Sequence, residues 1–387
     1  MTYENWQPGV LILDDGTVLK GEMPFKIKVS GEICFNTGMT GYQEAISDPS
    51  YTDQIITFTF PYIGNVGFNQ YDNENGSFSH QLKTAAKGII IRNKVTNSSN
   101  FRSEGNFIEF AKGKGIAIIS EIDTRSLAGK IRKKLVSNCI ISSYETNSDI
   151  EKLVSEVKSL PSMQGMELAK NASSKKFEEY LPNGNENTVK TVVVIDYGIK
   201  ENILRILKQK NLRVIVAPCD ANFEEIIKYN PSGILLSNGP GDPSETFKYT
   251  AKTISELAKA NIPIFGICLG HQLIAKLFGG KLIKLPQGHR GINHPVINYE
   301  TGIIEITPQN HGFACVDEDL PNHIEVTHRS LFDSVIEGIK IKKGVNLNIE
   351  GLNFTTGEIF AVQYHPEGSS GPHDSQYLFD KFISVLK

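Results

Sequence analysis

Residues 262–280, IPIFGICLGHQLIAKLFGG, constrain the fold more than any other stretch of this chain. A short apolar run over 262–267 reads as a buried strand. Leu269, Leu273, Ile274, Leu277 and Phe278 then recur at helical spacing until Gly279 and Gly280 stop the helix. Gly266, Cys268 and Gly270 join the two as a G-x-C-x-G turn, the strand–turn–helix geometry of a nucleophile elbow. Glycines on either side leave room for a strained backbone that pushes the central side chain outward. The helix N-terminus beneath the sulfur favours the thiolate over the thiol. Two readings stand side by side: Cys268 is a covalent nucleophile, or it is one of the small inert hydrophobes that most strand cysteines are. The first needs a base from elsewhere in the chain.

With 387 residues the chain has length for two domains, each with its own core. A net charge of −3 argues against a nucleic-acid surface as the main purpose. The five cysteines, Cys34, Cys139, Cys219, Cys268 and Cys315, are scattered and free of C-x-x-C spacing, which suits a reducing compartment. No His-Cys-carboxylate group has ligand spacing, so no metal site is expected. The opening residues carry no basic-then-apolar signal, and no apolar run approaches a membrane span. A cytoplasmic protein that binds neither nucleic acid nor membrane is the expectation.

The first half mixes strands with a few helices. Asp15–Gly16 between two apolar runs predicts a hairpin, and residues 31–35, 54–60, 88–92 and 115–120 read as strands. Helices are expected from Asp123 or Thr124 toward Leu135 and over 148–160. Residues 36–51, NTGMTGYQEAISDPSY, read as a long connection, either functional or a plain surface loop. The polar stretch 171–190 reads as a linker between a domain at 1–170 and one at 191–387. Beyond it strands and helices alternate: strands at 191–195, 213–217 and 233–236, helices at 200–210, 223–229 and 247–260, then the elbow. Repeated βα units imply a mostly parallel central sheet flanked by helices, with ligands at the carboxyl ends of its strands. The loop SNGPGDP at 237–243 would lie beside the elbow there, as an oxyanion-binding backbone or as an ordinary turn. A last strand over 359–364 ends in His365-Pro366-Glu367. In an extended segment both side chains point the same way, so Glu367 could hold one nitrogen of His365 while the other faces a thiol. His271, His289, His294 and His311 also sit in polar, glycine-containing stretches, and spacing alone does not choose among them.

With GICLGHQ and HPE in place, the second half resembles the class I, triad-type glutamine amidotransferases. The whole chain resembles the small, glutamine-hydrolysing subunits of carbamoyl-phosphate synthetase. That narrower likeness is carried by residues 31–67, GEICFNTGMTGYQEAISDPSYTDQIITFTFPYIGNVG, and by EIDTRSL, DYGIKENILR, GHRGINHPV, QNHGFA and GPHDSQYLFDKF. The resemblance implies a mixed α/β first domain that contributes to contact with a large subunit, and a glutaminase second domain. It implies Cys268 as nucleophile, His365 as acid and base, Glu367 as its orienter, and the N–H groups of Leu269 and Gly241 as oxyanion hole. Glutamine would be held by Ser50, Gly239, Gly241, Leu269, Gln272, Asn310, Gly312 and Phe313. The implied partner is a large synthetase subunit in a heterodimer or higher oligomer. The resemblance implies ATP and divalent metal only there, and the absence of a G-x-x-x-x-G-K-[ST] run here is consistent with that. A glutaminase subunit of another amidotransferase and a free-standing thiol γ-glutamyl hydrolase are the alternatives. Three features depart from the family pattern: Gly38, Ala128–Gly129, and an apparent lengthening over 340–356.

Overall fold

A computed structural model describes residues 6–75, 85–181, 190–349 and 352–387. The chain divides into two compact units, the first ending at Met163 and the second beginning at Gln164. Strand counts and orders refer to the described residues.

In the first unit seven strands form one mixed sheet, ordered Val18–Met23, Gln7–Leu13, Asn138–Ser143, Lys28–Asn36, Gln54–Phe58, Gly88–Ile90, Ala117–Ile119. The last four run parallel, and the others pair antiparallel. The Asp15–Gly16 hairpin stands as its sequence predicts, with Ile12 opposite Val18. Asp123 caps the helix Thr124–Arg132 by accepting from the Ser126 N–H at 3.1 Å. The stretch 36–51 is more ordered than its composition suggests: it holds the helix Tyr42–Ser47 and the 3-10 turn Pro49–Tyr51. Tyr42, Ile46 and Tyr51 bury their side chains in the core beneath. A helix of under two turns is too short to show a 3.6-residue period, so the sequence reads as loop.

Ten strands make the sheet of the second unit. Its centre is parallel: Arg213–Pro218, Thr191–Asp196, Gly233–Leu236, Ile264–Ile267 and Ile359–Val362 lie side by side in that order. These strands are almost entirely buried, and separate apolar clusters cover the two faces. The βα alternation does not foreshadow the chain beyond the elbow helix. Residues 281–341 extend the sheet antiparallel through a long ribbon, Lys281–Asn298 with Ile304–Val316, and the strands Ile324–Ser330 and Ile336–Ile341. The segment 340–356, expected to be longer than the family pattern, contains a small hairpin, Asn346–Ile349 with Leu352–Thr355. The expected linker at 171–190 is divided differently. Within it Glu178–Tyr180 is hydrogen-bonded to the sheet edge at Val214–Val216, and residues 182–189 lie outside the described residues. A three-residue edge strand carries too few apolar side chains to register in a polar stretch. Among the described residues no helix is long and apolar enough to cross a membrane.

Candidate active site

Four neighbouring parallel strands of the second unit deliver one group of residues from their carboxyl ends. Cys268 follows Ile264–Ile267, the loop 237–242 follows Gly233–Leu236, Lys200 comes after Thr191–Asp196, and His365 and Glu367 come after Ile359–Val362. Cys268 adopts φ 54°, ψ −101° at the N-cap of the helix Leu269–Leu277. Such a backbone costs about 1–3 kcal/mol and persists only where the surroundings hold it. Here the Cys268 N–H donates to the Val362 carbonyl at 2.9 Å, the Gly270 N–H to Ser237 at 3.0 Å, and the Gln272 N–H to the Cys268 carbonyl at 3.1 Å. The flanking glycines are required for close approach. A Cβ on Gly270 would stand 2.2 Å from the Leu236 carbonyl, and one on Gly266 would stand 2.7 Å from Ile274. Leu269 takes the first helical position, where the N–H has no intrahelical acceptor.

His365 and Glu367 meet, though not along an extended strand. The strand ends at Val362, and a turn closes with the Gly368 N–H donating to the His365 carbonyl at 3.2 Å. Pro366 and Gly368, at φ 50°, occupy turn positions that suit them. The turn brings Glu367 Oε1 to 2.6 Å from His365 Nδ1, with both side chains buried. A carboxylate can only accept, so Nδ1 carries hydrogen and Nε2 is left for the thiol side. Nε2 has no hydrogen-bond partner of its own, while the Cys268 thiol donates to the Asn310 carbonyl at 3.6 Å. Burial by itself would strip the His365 proton. The Glu367 carboxylate and the neighbouring Cys268 sulfur outweigh it and push the ring up to about 10.

Lys200 is the member of this group that motif spacing does not reveal. Its Nζ lies 2.9 Å from Glu367 Oε1, with both side chains almost wholly buried. Burial would raise the Glu367 pKa, but Lys200 first and His365 second bring it down to about 2. The DYGIKEN segment is built to place this cation. Asp196 Oδ1 accepts from the N–H groups of Gly198 and Ile199, and Asn238 Oδ1 accepts from the Lys200 N–H. Asn202 then donates to the Glu367 carbonyl at 2.7 Å. Thiol, imidazole, carboxylate and buried cation together can generate a nucleophile and keep its proton for a leaving group.

The other residues singled out in the sequence fall in three places. Gly239 and Gly241 belong to the loop 237–242, and Gly241 takes φ 93° where a Cβ would meet the Met166 carbonyl at 2.8 Å. Asp242 pins that loop, accepting from the Ser244 and Gly165 N–H groups. Gln272 on the elbow helix donates to the Phe313 carbonyl at 2.9 Å and to Gln363 at 3.1 Å, which ties Leu269 and Gln272 to the strand carrying Asn310, Gly312 and Phe313. Ser50 lies in the first unit, in the turn Pro49–Tyr51, where Asp48 accepts from its N–H.

The structure separates His365 from the competing histidines. His271 is wholly buried, and burial presses its pKa down to about 3, so it is a neutral core ring. His289 and His311 face Glu337 instead, in a cluster whose donor atoms all lie within 4.8 Å of one another. Spacings of more than twenty residues hide such a cluster, because strand register rather than sequence proximity assembles it.

The class of protein emerges from comparison. Residues 193–385 match the family model "Glutamine amidotransferase class-I". Residues 11–141 match "Carbamoyl-phosphate synthase small chain, CPSase domain". The carbamoyl phosphate synthase small chain of Rhizobium meliloti is 41% identical over 98% of this chain and 94% of its own length. That of Maricaulis maris is 43% identical over 97% and 96%. A solved glutamine amidotransferase from Thermotoga maritima is 22% identical, covering 46% of this chain and 76% of its own at a TM-score of 0.35. The chain belongs to the carbamoyl phosphate synthase small-chain family.

Proposed function

We infer that this chain hydrolyses L-glutamine at Cys268 and supplies the ammonia to a large synthetase partner in the cytoplasm. The observation that carries the reading is the buried line from Cys268 through His365 and Glu367 to Lys200.

The thiolate adds to the side-chain amide carbon of glutamine, and the proton that leaves Cys268 is retained on His365 by the Glu367 carboxylate. The tetrahedral oxyanion is held by the N–H groups of Leu269 and Gly241, at the ends of two adjacent strands. His365 gives its proton to the departing nitrogen, the carbon–nitrogen bond breaks, and a γ-glutamyl thioester and ammonia remain. His365 then takes a proton from water, hydroxide adds to the thioester, and glutamate leaves as the thiolate returns. Gly239, Gln272, Asn310, Gly312 and Phe313 surround the substrate. Ammonia passes to the partner, which combines it with bicarbonate at the expense of ATP, with divalent metal bound there. The partnership is a heterodimer or a higher assembly of heterodimers.

Replacing Cys268 by Ala in the assembled enzyme tests this. Glutamine-dependent carbamoyl phosphate synthesis falls to background while synthesis from added ammonia survives. Loss of both, or survival of the glutamine-dependent reaction, contradicts the reading.

A further inference from the structure

His289 on Lys281–Asn298 stands opposite His311 on Ile304–Val316, and Glu337 comes from the strand Ile336–Ile341. All three side chains are buried. Their outer hydrogen bonds fix which ring atoms face inward. His311 Nδ1 lies 2.8 Å from the Phe313 carbonyl. A carbonyl only accepts, so that nitrogen carries the hydrogen, and Nε2 presents a lone pair. Nε2 is buried without a hydrogen-bond partner and lies 3.8 Å from Glu337 Oε1. His289 Nε2 lies 2.7 Å from Asp333 Oδ2, which likewise assigns it the hydrogen and turns the Nδ1 lone pair toward Glu337 Oε1, 3.3 Å away. Gln309 donates to Glu337 Oε2 at 3.0 Å, leaving Oε1 to face both rings.

Three lone-pair atoms therefore converge on one buried point. Their mutual repulsion is relieved by a proton or by a cation between them. We propose that this chain binds one divalent transition-metal ion of the zinc class through His289 Nδ1, His311 Nε2 and Glu337 Oε1. The donor set favours zinc over magnesium or calcium, which take oxygen ligands. Bonds of about 2.0–2.1 Å at tetrahedral angles put neighbouring ligand atoms about 3.3–3.4 Å apart. The two rings stand 3.3 and 3.8 Å from Glu337 Oε1 and the three donor atoms lie within 4.8 Å of one another, so binding requires the rings to draw together around the ion. Each ring already donates its far N–H to an acceptor, Asp333 or the Phe313 carbonyl, the support that metal-bound histidines require. A fourth position falls to water or to His294, whose Nδ1 is buried without a partner and whose ring centre is 5.4 Å from that of His289. The ion would also reach the glutamine site, a consequence that rests on the proposed glutaminase function. His311 Nδ1 and Gln272 Nε2 share the Phe313 carbonyl, three residues beyond the Asn310 carbonyl that receives the Cys268 thiol.

The test uses the full chain with Cys268→Ser, so that the thiol cannot take the metal, stripped with a chelator and titrated with Zn2+ against a chromogenic chelator. One equivalent is expected to bind. Glu337→Gln or His289→Asn, each added to that background, is expected to weaken binding at least tenfold with near-UV circular dichroism unchanged. Equal affinity in those variants, or less than one equivalent in the Cys268→Ser chain, overturns the proposal and leaves a proton between His289 and Glu337. Should both variants misfold, Co2+ in the Cys268→Ser chain decides. Intense visible bands of a four- or five-coordinate ion support the site, and the weak spectrum of a six-coordinate ion refutes it.

Discussion

Replacing Lys200 by Met removes the buried cation beside Glu367 while keeping a side chain of similar length. At 2.9 Å the Nζ–Oε1 attraction is about 6 kcal/mol at an effective dielectric of 20, before either group's desolvation is charged against it. The displacement of the Glu367 pKa from 4.5 to about 2, which Lys200 shares with His365, corresponds to about 3 kcal/mol. A carboxylate left buried with only His365 as partner should therefore cost about 3 kcal/mol, or roughly 6–12 °C in the melting midpoint of a unit this size. Because folding lowers the Glu367 pKa, its stabilisation is complete above pH 4.5 and fades as pH falls toward 2; without Lys200 the loss still starts near pH 4.5 but is smaller and ends at higher pH. Far-UV circular dichroism is the probe, since the one tryptophan, Trp6, belongs to the first unit. A double-mutant cycle with Glu367→Gln should give a coupling of about 3 kcal/mol. Coupling near zero, with the acid limb unmoved, refutes the assignment of Lys200 as the group that keeps Glu367 charged.

Other consequences can be checked separately. Gly270→Ala forces a methyl against the Leu236 carbonyl and should cost several kcal/mol together with glutaminase activity, whereas Gly113→Ala, in the helix Phe107–Lys114 with open space around its Cβ, should gain about 0.5–1 kcal/mol. Urea midpoints distinguish these; equal effects would contradict the close packing at the elbow. His365 has its pKa raised from 6.5 to about 10, so its contribution is complete below pH 6.5 and is lost as pH climbs toward 10. Melting curves over that range should show an alkaline loss in the parent chain that His365→Asn lacks, and parallel curves would count against the pairing. Glutaminase activity should be weak in the isolated chain and rise on assembly with the large partner; equal rates would contradict the proposed partnership.

Local features are the ones legible in the sequence. The elbow can be read because strand, turn and helix lie within nineteen residues and each carries its own period. Alternation along a strand predicts the pairing of His365 with Glu367 through the wrong backbone, since a proline–glycine turn makes the contact. Lys200 stands in plain view inside DYGIKEN, yet nothing in its spacing says that its ammonium crosses to a turn more than 160 residues away. The same limit hides the His289–His311–Glu337 cluster. Ligand spacing detects sites built on one turn or one helix, and this one is built by the register of an antiparallel ribbon and its neighbours. That ribbon escapes notice as well, because βα alternation has no term for an antiparallel extension of a parallel sheet.

The central claim is that the sulfur of Cys268 reacts as a nucleophile toward glutamine. A chloroketone analogue of glutamine, incubated with the assembled enzyme and followed by peptide mass spectrometry, measures it directly. One adduct per chain on the peptide bearing Cys268, suppressed by excess glutamine, is the predicted result. Labelling spread over Cys34, Cys139, Cys219 or Cys315, or labelling of Cys268 that glutamine does not protect, would contradict it.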